Sequence, residues 1–233
     1  MADDGQSSPA AVLFDVDGTL MDTVYLHTLA WWEALRQQGR HVPMATIHRS
    51  IGMGSDHLMD ALLGEDRDCD GDDALKAAHD TLYAADWPRL TPLPGAAELV
   101  RACARRGLRV VLASSASGEE AQVMVDTLGV DDALYAVTTA DDVDSSKPAP
   151  DLVRQALDRG GVPADRAVFV GDAVWDAKAA RAADVPCLGV LTGGVSRAEL
   201  TDAGAKDVYD SPADLLDRLD RSAIGALTAT PPT

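Results

Sequence analysis

The sequence predicts an α/β protein in which a Rossmann-like core, built on a parallel sheet, carries an inserted all-helical domain. Three observations predict this fold. Residues 11–14 form an apolar run typical of an interior strand, residues 22–88 show helical patterns alone, and helix and strand patterns alternate from Pro94 onward. Interior strands of parallel sheets are apolar on both faces, and helices that alternate with such strands cover the two sides of the sheet.

The first predicted strand runs directly into a group of polar residues. Asp15, Asp17, Gly18 and Thr19 come just after Phe14, and open parallel sheets bind their ligands at the carboxyl ends of the strands. Asp15 and Asp17 are two residues apart, so their side chains would share a face if the strand continued. Gly18 allows the backbone to turn sharply and to approach a ligand closely. The segment therefore predicts a site with one fixed and one mobile carboxylate.

The following segment is predicted to contain four helices and no strand. Asp22 and Thr23 can cap a first helix whose apolar stripe ends near Gly39, and a second helix begins near Pro43. A third helix runs through the leucines at positions 58, 62 and 63, and a fourth covers residues 72–85. This segment is therefore interpreted as a separate helical unit.

Proline-rich turns mark the boundaries of this unit. The segment ends at Trp87-Pro88 and at the Thr-Pro-Leu-Pro-Gly turn of residues 91–95. We assign residues 22–88 to the helical domain, and residues 8–21 together with 89–221 to the sheet core. Residues 222–233, which are rich in alanine, threonine and proline, are predicted to form a disordered tail.

Beyond the turn, helices and strands are predicted to alternate. The predicted helices cover residues 96–106, 119–128, 149–159 and 172–183, and the strands that follow them cover residues 108–113, 134–138, 166–170 and 186–191. A shorter strand and helix pair ends with residues 213–219. This order of elements predicts a parallel sheet with helices on both faces.

Composition excludes several classes of protein. The chain has 233 residues with 46% hydrophobic content, enough for one core and a smaller insertion, and no apolar run long enough to span a bilayer. The acidic start, residues 1–6, lacks the features of a signal peptide, so we expect a cytoplasmic protein. Three scattered cysteines indicate neither a disulfide framework nor a zinc site. The net charge of −18 disfavours nucleic acid and anionic membranes as partners. Separately, we expect a monomer.

Three further strand ends carry polar residues. Ser114 and Ser115 follow the predicted strand that contains residues 110–113. Lys147 precedes a proline in the loop after residues 134–138. Asp172 and Asp176 follow residues 168–171. Because the carboxyl ends of parallel strands meet at one edge of the sheet, we expect these side chains to lie near Asp15.

This ordered set resembles the haloacid dehalogenase superfamily of phosphatases and related phosphoryl-transfer enzymes. The matching residues are Asp-x-Asp-Gly-Thr-Leu at residues 15–20, Ser114, Lys147 in a Ser-Lys-Pro turn, and Asp172 with Asp176, all in the family's order. The position of the helical insertion is similar to that of the cap in the subgroup that contains phosphoglycolate phosphatases and β-phosphoglucomutases. Such a cap would close over the strand ends, exclude water and help to select the substrate.

The resemblance implies roles for three catalytic residues. Asp15 would be the nucleophile that attacks phosphorus and forms an aspartyl-phosphate. Asp17 would protonate the leaving group and then activate water, and its presence favours phosphate esters over carbon–halogen bonds. Lys147 would pair with Asp15 and with the phosphoryl oxygens.

The resemblance also implies a Mg²⁺ site. Its ligands would be the Asp15 carboxylate, the backbone carbonyl of Asp17 and the Asp172 carboxylate. Asp176 would either support the metal through water or hold Lys147. We expect it on the same face of a helix as Asp172, because the two are four residues apart.

Five further residues are candidates for substrate binding: Ser114, Ser115, Thr19, Gly18 and His27. Ser114 would donate a hydrogen bond to a phosphoryl oxygen, and the backbone amide of Ser115 would add a donor. Thr19 either contacts the phosphate or caps the turn. His27 either lies near the general acid or packs inside the cap, and Arg49 either reaches the substrate or faces solvent.

These roles together predict a Mg²⁺-dependent phosphatase for a small phosphorylated metabolite, of the phosphoglycolate or sugar-phosphate type. A β-phosphoglucomutase-like enzyme is the alternative. Against it, residues 54–57 contain no arginine that could hold a second phosphate, and Gly171 occupies a position where such mutases tend to carry an acid. A non-catalytic protein that binds a phosphorylated metabolite is a third alternative, which the Asp15 and Asp17 pair disfavours. Fold-level similarity does not identify the substrate.

Overall fold

The computed structural model describes residues 8–65 and 69–228. Within these residues six parallel strands form a single sheet, in the order β3-β2-β1-β4-β5-β6. Their bounds are β1 Ala11–Phe14, β2 Arg109–Ala113, β3 Ala136–Thr138, β4 Ala167–Gly171, β5 Cys187–Val190 and β6 Ala205–Tyr209. The predicted parallel sheet is confirmed.

The register places the end of β1 at the centre of the sheet edge. Phe14 lies opposite Leu112 of β2 on one side and Val170 of β4 on the other. The backbone N–H of Asp15 continues the ladder by donating to the Val170 carbonyl at 2.9 Å. Asp15 is therefore held by pairing on both sides of its strand.

Eleven α-helices lie within the described residues. Four of them, between β1 and the rest of the core, are α1 Val24–Gln37, α2 Met44–Ser50, α3 Ser55–Leu63 and α4 Asp72–Ala84. The others belong to the core and are α5 Ala96–Arg105, α6 Gly118–Leu128, α7 Asp151–Gly160, α8 Val174–Ala182, α9 Arg197–Ala203, α10 Pro212–Asp217 and α11 Ala223–Thr228.

Successive residues of β1 face opposite layers of the core. Val12 and Phe14 pack with residues of α5, α6 and α10, whereas Ala11 and Leu13 pack with residues of α7, α8 and α9. All four strand residues are fully buried. This is the pattern of a parallel sheet covered on both faces, because side chains alternate along a strand.

The inserted helices have a hydrophobic cluster of their own. It joins α1, α2, α3 and α4 through the buried residues Val24, Trp31, Ala34, Leu35, Ile47, Ile51, Leu58, Met59 and Leu75. The predicted all-helical cap is thus confirmed, while its limits at residues 22 and 88 stay a prediction. None of the helices in the described part of the chain has the length and apolar character needed to cross a bilayer.

Two sequence-based expectations need correction. Helix α8 begins at Val174, so Asp172 lies in the turn before the helix and does not share a helix face with Asp176. The expected disordered tail contains α11, whose Ile224 is fully buried against the core and whose N–H is bonded to the Ser222 hydroxyl at 3.1 Å. The buried Ile224, the partly buried Ala223 and Leu227 and the capping Ser222 hold this segment against the core. Residues 229–233 and the acidic start lie outside the described residues.

Candidate active site

The Asp15 side chain lies between an ammonium group and a hydroxyl group. Lys147 Nζ donates to Asp15 Oδ1 at 2.5 Å, and Thr19 Oγ1 lies 3.2 Å from Asp15 Oδ2. Asp15 is 2% exposed. Burial and the nearby Asp176 raise the pKa of Asp15 to about 7, and Lys147 opposes this rise. The carboxylate is thus fixed at both oxygens but destabilised by its dry surroundings.

Lys147 reaches the site from the loop before α7. Its ammonium group also donates to Asp176 Oδ1 at 2.9 Å, and the side chain is almost fully buried. Burial lowers the pKa of Lys147, but Asp15 and Asp176 outweigh this effect and raise it above the ordinary value. Lys147 is therefore a permanent cation that holds the two carboxylates in place.

Asp176 is fully engaged as a positioning residue. One carboxylate oxygen accepts from Lys147, and the other accepts from the Ala173 backbone N–H at 3.0 Å. Of the two roles considered for Asp176, its contacts match the holding of Lys147. The four-residue spacing to Asp172 is produced by the turn into α8, not by a shared helix face.

The Asp172 carboxylate packs against the backbone of two glycines, Gly18 and Gly193. Its Oδ1 accepts from the Thr19 hydroxyl at 2.9 Å. A Cβ atom at Gly193 would lie 1.7 Å from Asp172 Oδ2, and one at Gly18 would lie 2.4 Å from the same oxygen, with Gly18 also at φ +75°. Only glycine fits at both positions. Gly193 was not predicted, although Thr192-Gly193-Gly194 begins two residues after Val190, the last residue of β5.

The carboxylate cluster suits a hard divalent cation. Asp15, Asp172 and Asp176 each offer an oxygen, and the three oxygens lie within 4.8 Å of one another. Burial, together with Asp15 and Asp176, raises the pKa of Asp172 well above its ordinary value. Three buried carboxylates face one ammonium group, so a cation bound there would relieve their repulsion, and carboxylate oxygens are the ligands that Mg²⁺ prefers.

The Asp17 carboxylate faces the cap and takes no part in this cluster. Its Oδ1 accepts from Thr23 Oγ1 at 2.6 Å and lies 3.1 Å from His27 Nε2. Burial raises the pKa of Asp17, but His27 and Thr23 outweigh it and lower the pKa below the ordinary value. Any contact of Asp17 with the metal would therefore come from its backbone carbonyl, as the resemblance implies.

His27 combines the two roles considered for it. It packs face to face with Tyr83, with ring centroids 3.8 Å apart, and it also bonds to Asp17. Burial lowers the pKa of His27, but Asp17 outweighs burial and raises it. His27 is thus a buried packing residue that carries a proton next to Asp17.

A second histidine extends this hydrogen-bonded chain. His27 Nδ1 lies 3.2 Å from His79 Nε2, and His79 Nδ1 lies 2.9 Å from Asp80 Oδ1. Burial lowers the pKa of His79 to about 4, so its ring is neutral. These partners assign the protons: His27 donates through both nitrogens, and His79 accepts at Nε2 and donates to Asp80. Sequence reasoning missed His79 because its role depends on how α4 packs on α1.

A cavity of about 260 Å³ lies between the cap and the core, over the strand ends. Asp15, Asp17, His27, Ser115 and Lys147 line it. The predicted catalytic residues therefore share one cavity with residues of the cap.

Three predicted substrate-binding residues do not line this cavity. Ser114 is fully buried, and its hydroxyl accepts from the Ala116 N–H at 3.1 Å. Thr19 and Gly18 lie behind the carboxylates, where they pack against Asp172. Ser115 lines the cavity instead, and its hydroxyl is buried and makes no hydrogen bond within the described residues. Adjacent serines at a strand end cannot be distinguished by sequence pattern alone.

The cap contacts the core at points away from the cavity. Arg49 forms an ion pair with Glu199 at 2.5 Å, and its carbonyl accepts from Trp175 Nε1 at 3.0 Å. His48 Nε2 lies 2.9 Å from the Gly193 carbonyl. Of the two roles considered for Arg49, the solvent-facing one matches, because its side chain is 70% exposed and does not line this cavity. The ion pair with Glu199 also joins α2 of the cap to α9 of the core.

Comparison with known proteins identifies the family. A family model described as haloacid dehalogenase-like hydrolase matches residues 9–184. A protein of Rhodospirillum rubrum named phosphoglycolate phosphatase is 34% identical over 221 residues, which cover 91% of this chain and 91% of that protein.

Solved structures agree with this result. A hydrolase from Pseudomonas syringae is 36% identical with a TM-score of 0.87, covering 92% of this chain and 99% of that one. A putative β-phosphoglucomutase from Bacteroides vulgatus has a TM-score of 0.85 at 21% identity, covering 95% of this chain and 91% of that one, and shows the shared fold alone. With its strand-end carboxylates, buried lysine and helical cap, the chain belongs to the haloacid dehalogenase-like hydrolases.

Proposed function

We propose that the protein is a Mg²⁺-dependent phosphatase that hydrolyses a small phosphorylated metabolite through an aspartyl-phosphate on Asp15. One observation carries this proposal: Asp15, Lys147 and the Asp17–His27 pair line the same cavity. A nucleophile, a cation and a proton donor are the groups that phosphoryl transfer from an ester requires.

The first step transfers the phosphoryl group to the enzyme. A carboxylate oxygen of Asp15 attacks phosphorus, and the bond from phosphorus to the ester oxygen breaks. The departing oxygen takes a proton from the Asp17–His27 pair. Lys147, within 2.5 Å of Asp15, would balance charge on the phosphoryl oxygens as that charge shifts, and the backbone N–H of Ser115, a residue that lines the cavity, would add a donor.

The second step releases phosphate. Water attacks phosphorus and gives a proton back to the pair, while the bond between phosphorus and the Asp15 oxygen breaks. Orthophosphate leaves and Asp15 returns to its carboxylate form, so protons and charge balance over the cycle.

The proton for the leaving group is stored on His27. The lowered pKa of Asp17 and the raised pKa of His27 both favour an ionised aspartate bonded to a protonated imidazole in the resting pair. Asp17 contacts the substrate, and His27 supplies and recovers the proton through their 3.1 Å hydrogen bond. The pair acts as one acid–base unit.

Asp15, Asp172 and the backbone carbonyl of Asp17 would hold the Mg²⁺ ion. When bound, it would supply positive charge that favours ionised Asp15 and offsets the repulsion between this carboxylate and the phosphoryl group. Asp176 positions Lys147, and Thr19 positions Asp15 and Asp172.

The names of the relatives support a small substrate. The Rhodospirillum rubrum protein is named phosphoglycolate phosphatase, which together with the small cavity favours a phosphoglycolate or sugar-phosphate type of metabolite. A mutase has less support, because a Cβ at Gly171 would lie 2.5 Å from the Asp176 carboxylate and leaves no room for an acid there. The net charge of −18 supports our further proposal that nucleic acid and membranes are not partners.

Hydrolysis of p-nitrophenyl phosphate by the purified chain, with Mg²⁺ or with EDTA, tests the proposal. We expect turnover with Mg²⁺ only, and its loss in Asp15→Asn. The exposed Asp202 in α9 provides the matched control Asp202→Asn, which should retain wild-type turnover. Rapid-quench mass spectrometry should find the phosphoryl adduct on Asp15. Undiminished turnover by Asp15→Asn, or an adduct on another residue, would refute the mechanism.

A further inference from the structure

The part of the cavity away from Asp15 is rich in carboxylates. Besides the residues of the proposed reaction, its wall contains five acids: Asp56, Asp80, Glu120, Asp141 and Asp144. Among the described residues that line it, Lys76 is the one basic side chain beyond Lys147 and the histidines. His27 is bonded to Asp17, and His79 is neutral. The leaving-group end of the cavity therefore has an excess of negative charge.

Glu120 is the buried member of this set. It lies in the first turn of α6 and is 9% exposed, whereas the other four acids are exposed. Its Oε1 atom has no hydrogen-bond partner in the described structure. The nearest cationic atom, His27 Nε2, is 3.4 Å away and directs its hydrogen to Asp17. A buried acceptor without a donor is costly, so a donor on a ligand would be stabilised there.

A second anionic group on the substrate would be unfavourable at this end. It would face the buried Glu120, with the exposed Asp80 and the exposed Lys76 further out at the solvent-facing part of the wall. Bringing a negative charge next to the buried Glu120 without a close cation is costly, because like charges repel more strongly beside a buried group than in water. A hydroxyl or ammonium group in the same place could instead donate to the one unpartnered acceptor of this wall, Glu120 Oε1, within the described structure.

We propose that the substrate's leaving group is a small alcohol that carries hydroxyl or ammonium donors and no second negative charge, and that Glu120 selects it. The inference rests on the proposed phosphatase activity, keeps the sugar-phosphate type of substrate in its neutral, polyol form, and departs from the phosphoglycolate type that the relative's name favours. Polyol and amino-alcohol phosphates fit this cavity, and phosphoglycolate and bisphosphorylated sugars do not. Glu120 is a specificity-determining residue on the wall opposite the cap.

A matched set of two-carbon esters tests the proposal on the full-length chain with Mg²⁺ at pH 8. The esters are ethyl phosphate, 2-hydroxyethyl phosphate, 2-aminoethyl phosphate and phosphoglycolate, which differ in the group attached beyond the ester carbon. We expect kcat/KM for the hydroxyl or the amino ester to exceed that for phosphoglycolate by at least about tenfold, a ratio that corresponds to about 1.4 kcal/mol. Comparison of the hydroxyl and amino esters shows which donor the site prefers.

Glu120→Gln removes the charge and keeps the shape. We expect this variant to lower that ratio at least about threefold, mainly by improving turnover of phosphoglycolate. The neighbouring Glu119 is exposed and does not line the cavity, so Glu119→Gln should leave all four values unchanged. Circular dichroism checks that both variants fold. If Glu120→Gln does not fold, the ratios measured with the wild-type protein still decide whether the proposed substrate class is right.

The outcomes separate the two proposals. If phosphoglycolate is hydrolysed as efficiently as the hydroxyl and amino esters, the substrate class is wrong and the phosphatase stands. If the ratio is as expected but Glu120→Gln leaves it unchanged, the assignment to Glu120 is wrong. If neither these esters nor p-nitrophenyl phosphate is hydrolysed with Mg²⁺, the proposed function fails and this inference fails with it.

Discussion

Replacing Lys147 with methionine tests whether its ammonium group neutralises the buried carboxylates. Lys147 Nζ lies 2.5 Å from Asp15 Oδ1 and 2.9 Å from Asp176 Oδ1, and the three side chains are at most 3% exposed. Removal of one partner from a buried ion pair costs about 3–5 kcal/mol, because the other charge stays buried without compensation. We expect Lys147→Met to lower the free energy of unfolding by about this amount at pH 7 without Mg²⁺.

Urea unfolding followed by circular dichroism in EDTA measures the effect. Lys206 is exposed on β6, so Lys206→Met should change the free energy of unfolding by less than about 0.5 kcal/mol. Adding Asp176→Asn to Lys147→Met restores the original charge balance, and the two changes should be non-additive by about 1–3 kcal/mol. The loss should also shrink at pH 5, because Asp15, with its pKa raised to about 7, is then protonated. A variant within about 1 kcal/mol of wild type at pH 7, or strict additivity with Asp176→Asn, would refute the reasoning.

Three further predictions address the proton relay and the metal site. His27→Gln should reduce kcat for alkyl phosphates about 10²-fold but affect p-nitrophenyl phosphate far less, since that leaving group needs no proton; equal losses would contradict the relay. The pKa of His79 is about 4 in the folded chain and 6.5 in model peptides. The folded state therefore binds fewer protons than the unfolded state between these two pH values. In urea unfolding, the free energy of unfolding of wild type should fall by about 3 kcal/mol more than that of His79→Gln when the pH is lowered from 7 to 4. The same pH dependence in both proteins would contradict this prediction. Gly193→Ala should displace Asp172 and weaken Mg²⁺ binding, measured by calorimetry, at least about tenfold. The control is Gly160→Ala, because a Cβ there would meet its neighbours at 3.5 Å or more. Equal Mg²⁺ affinities of the two variants would count against the proposed metal site.

The sheet and the set of residues at its edge were predictable because both follow from local patterns. Apolar runs place β1, β2 and β4, and the parallel arrangement then brings Asp15, Lys147 and Asp172 to one edge. The catalytic and metal-binding roles of these residues stay predictions.

Other features depended on contacts that spacing does not encode. The partners of Asp17 come from α1, and those of His27 come from α4 and α6, so the Asp80–His79–His27–Asp17 chain exists only after the cap folds onto the core. Glu120 follows the capping Ser117 by three residues, which is an ordinary pattern at a helix start and hides its place in the cavity wall.

Asp15 lies at the end of an inner strand of the sheet, so the residue proposed to react and the cap proposed to select the substrate belong to separate parts of the structure. Its backbone is fixed by neighbours on both flanks, whereas the cap has its own hydrophobic cluster and enters the chain through two short crossings near residues 21 and 90. Remodelling of the cap can therefore change which molecules enter the cavity while the carboxylate of Asp15, the proposed nucleophile, keeps its position. A chimera that carries a different helical insertion should therefore have a new substrate selectivity, while the proposed phosphoryl-transfer site at the strand ends stays unchanged.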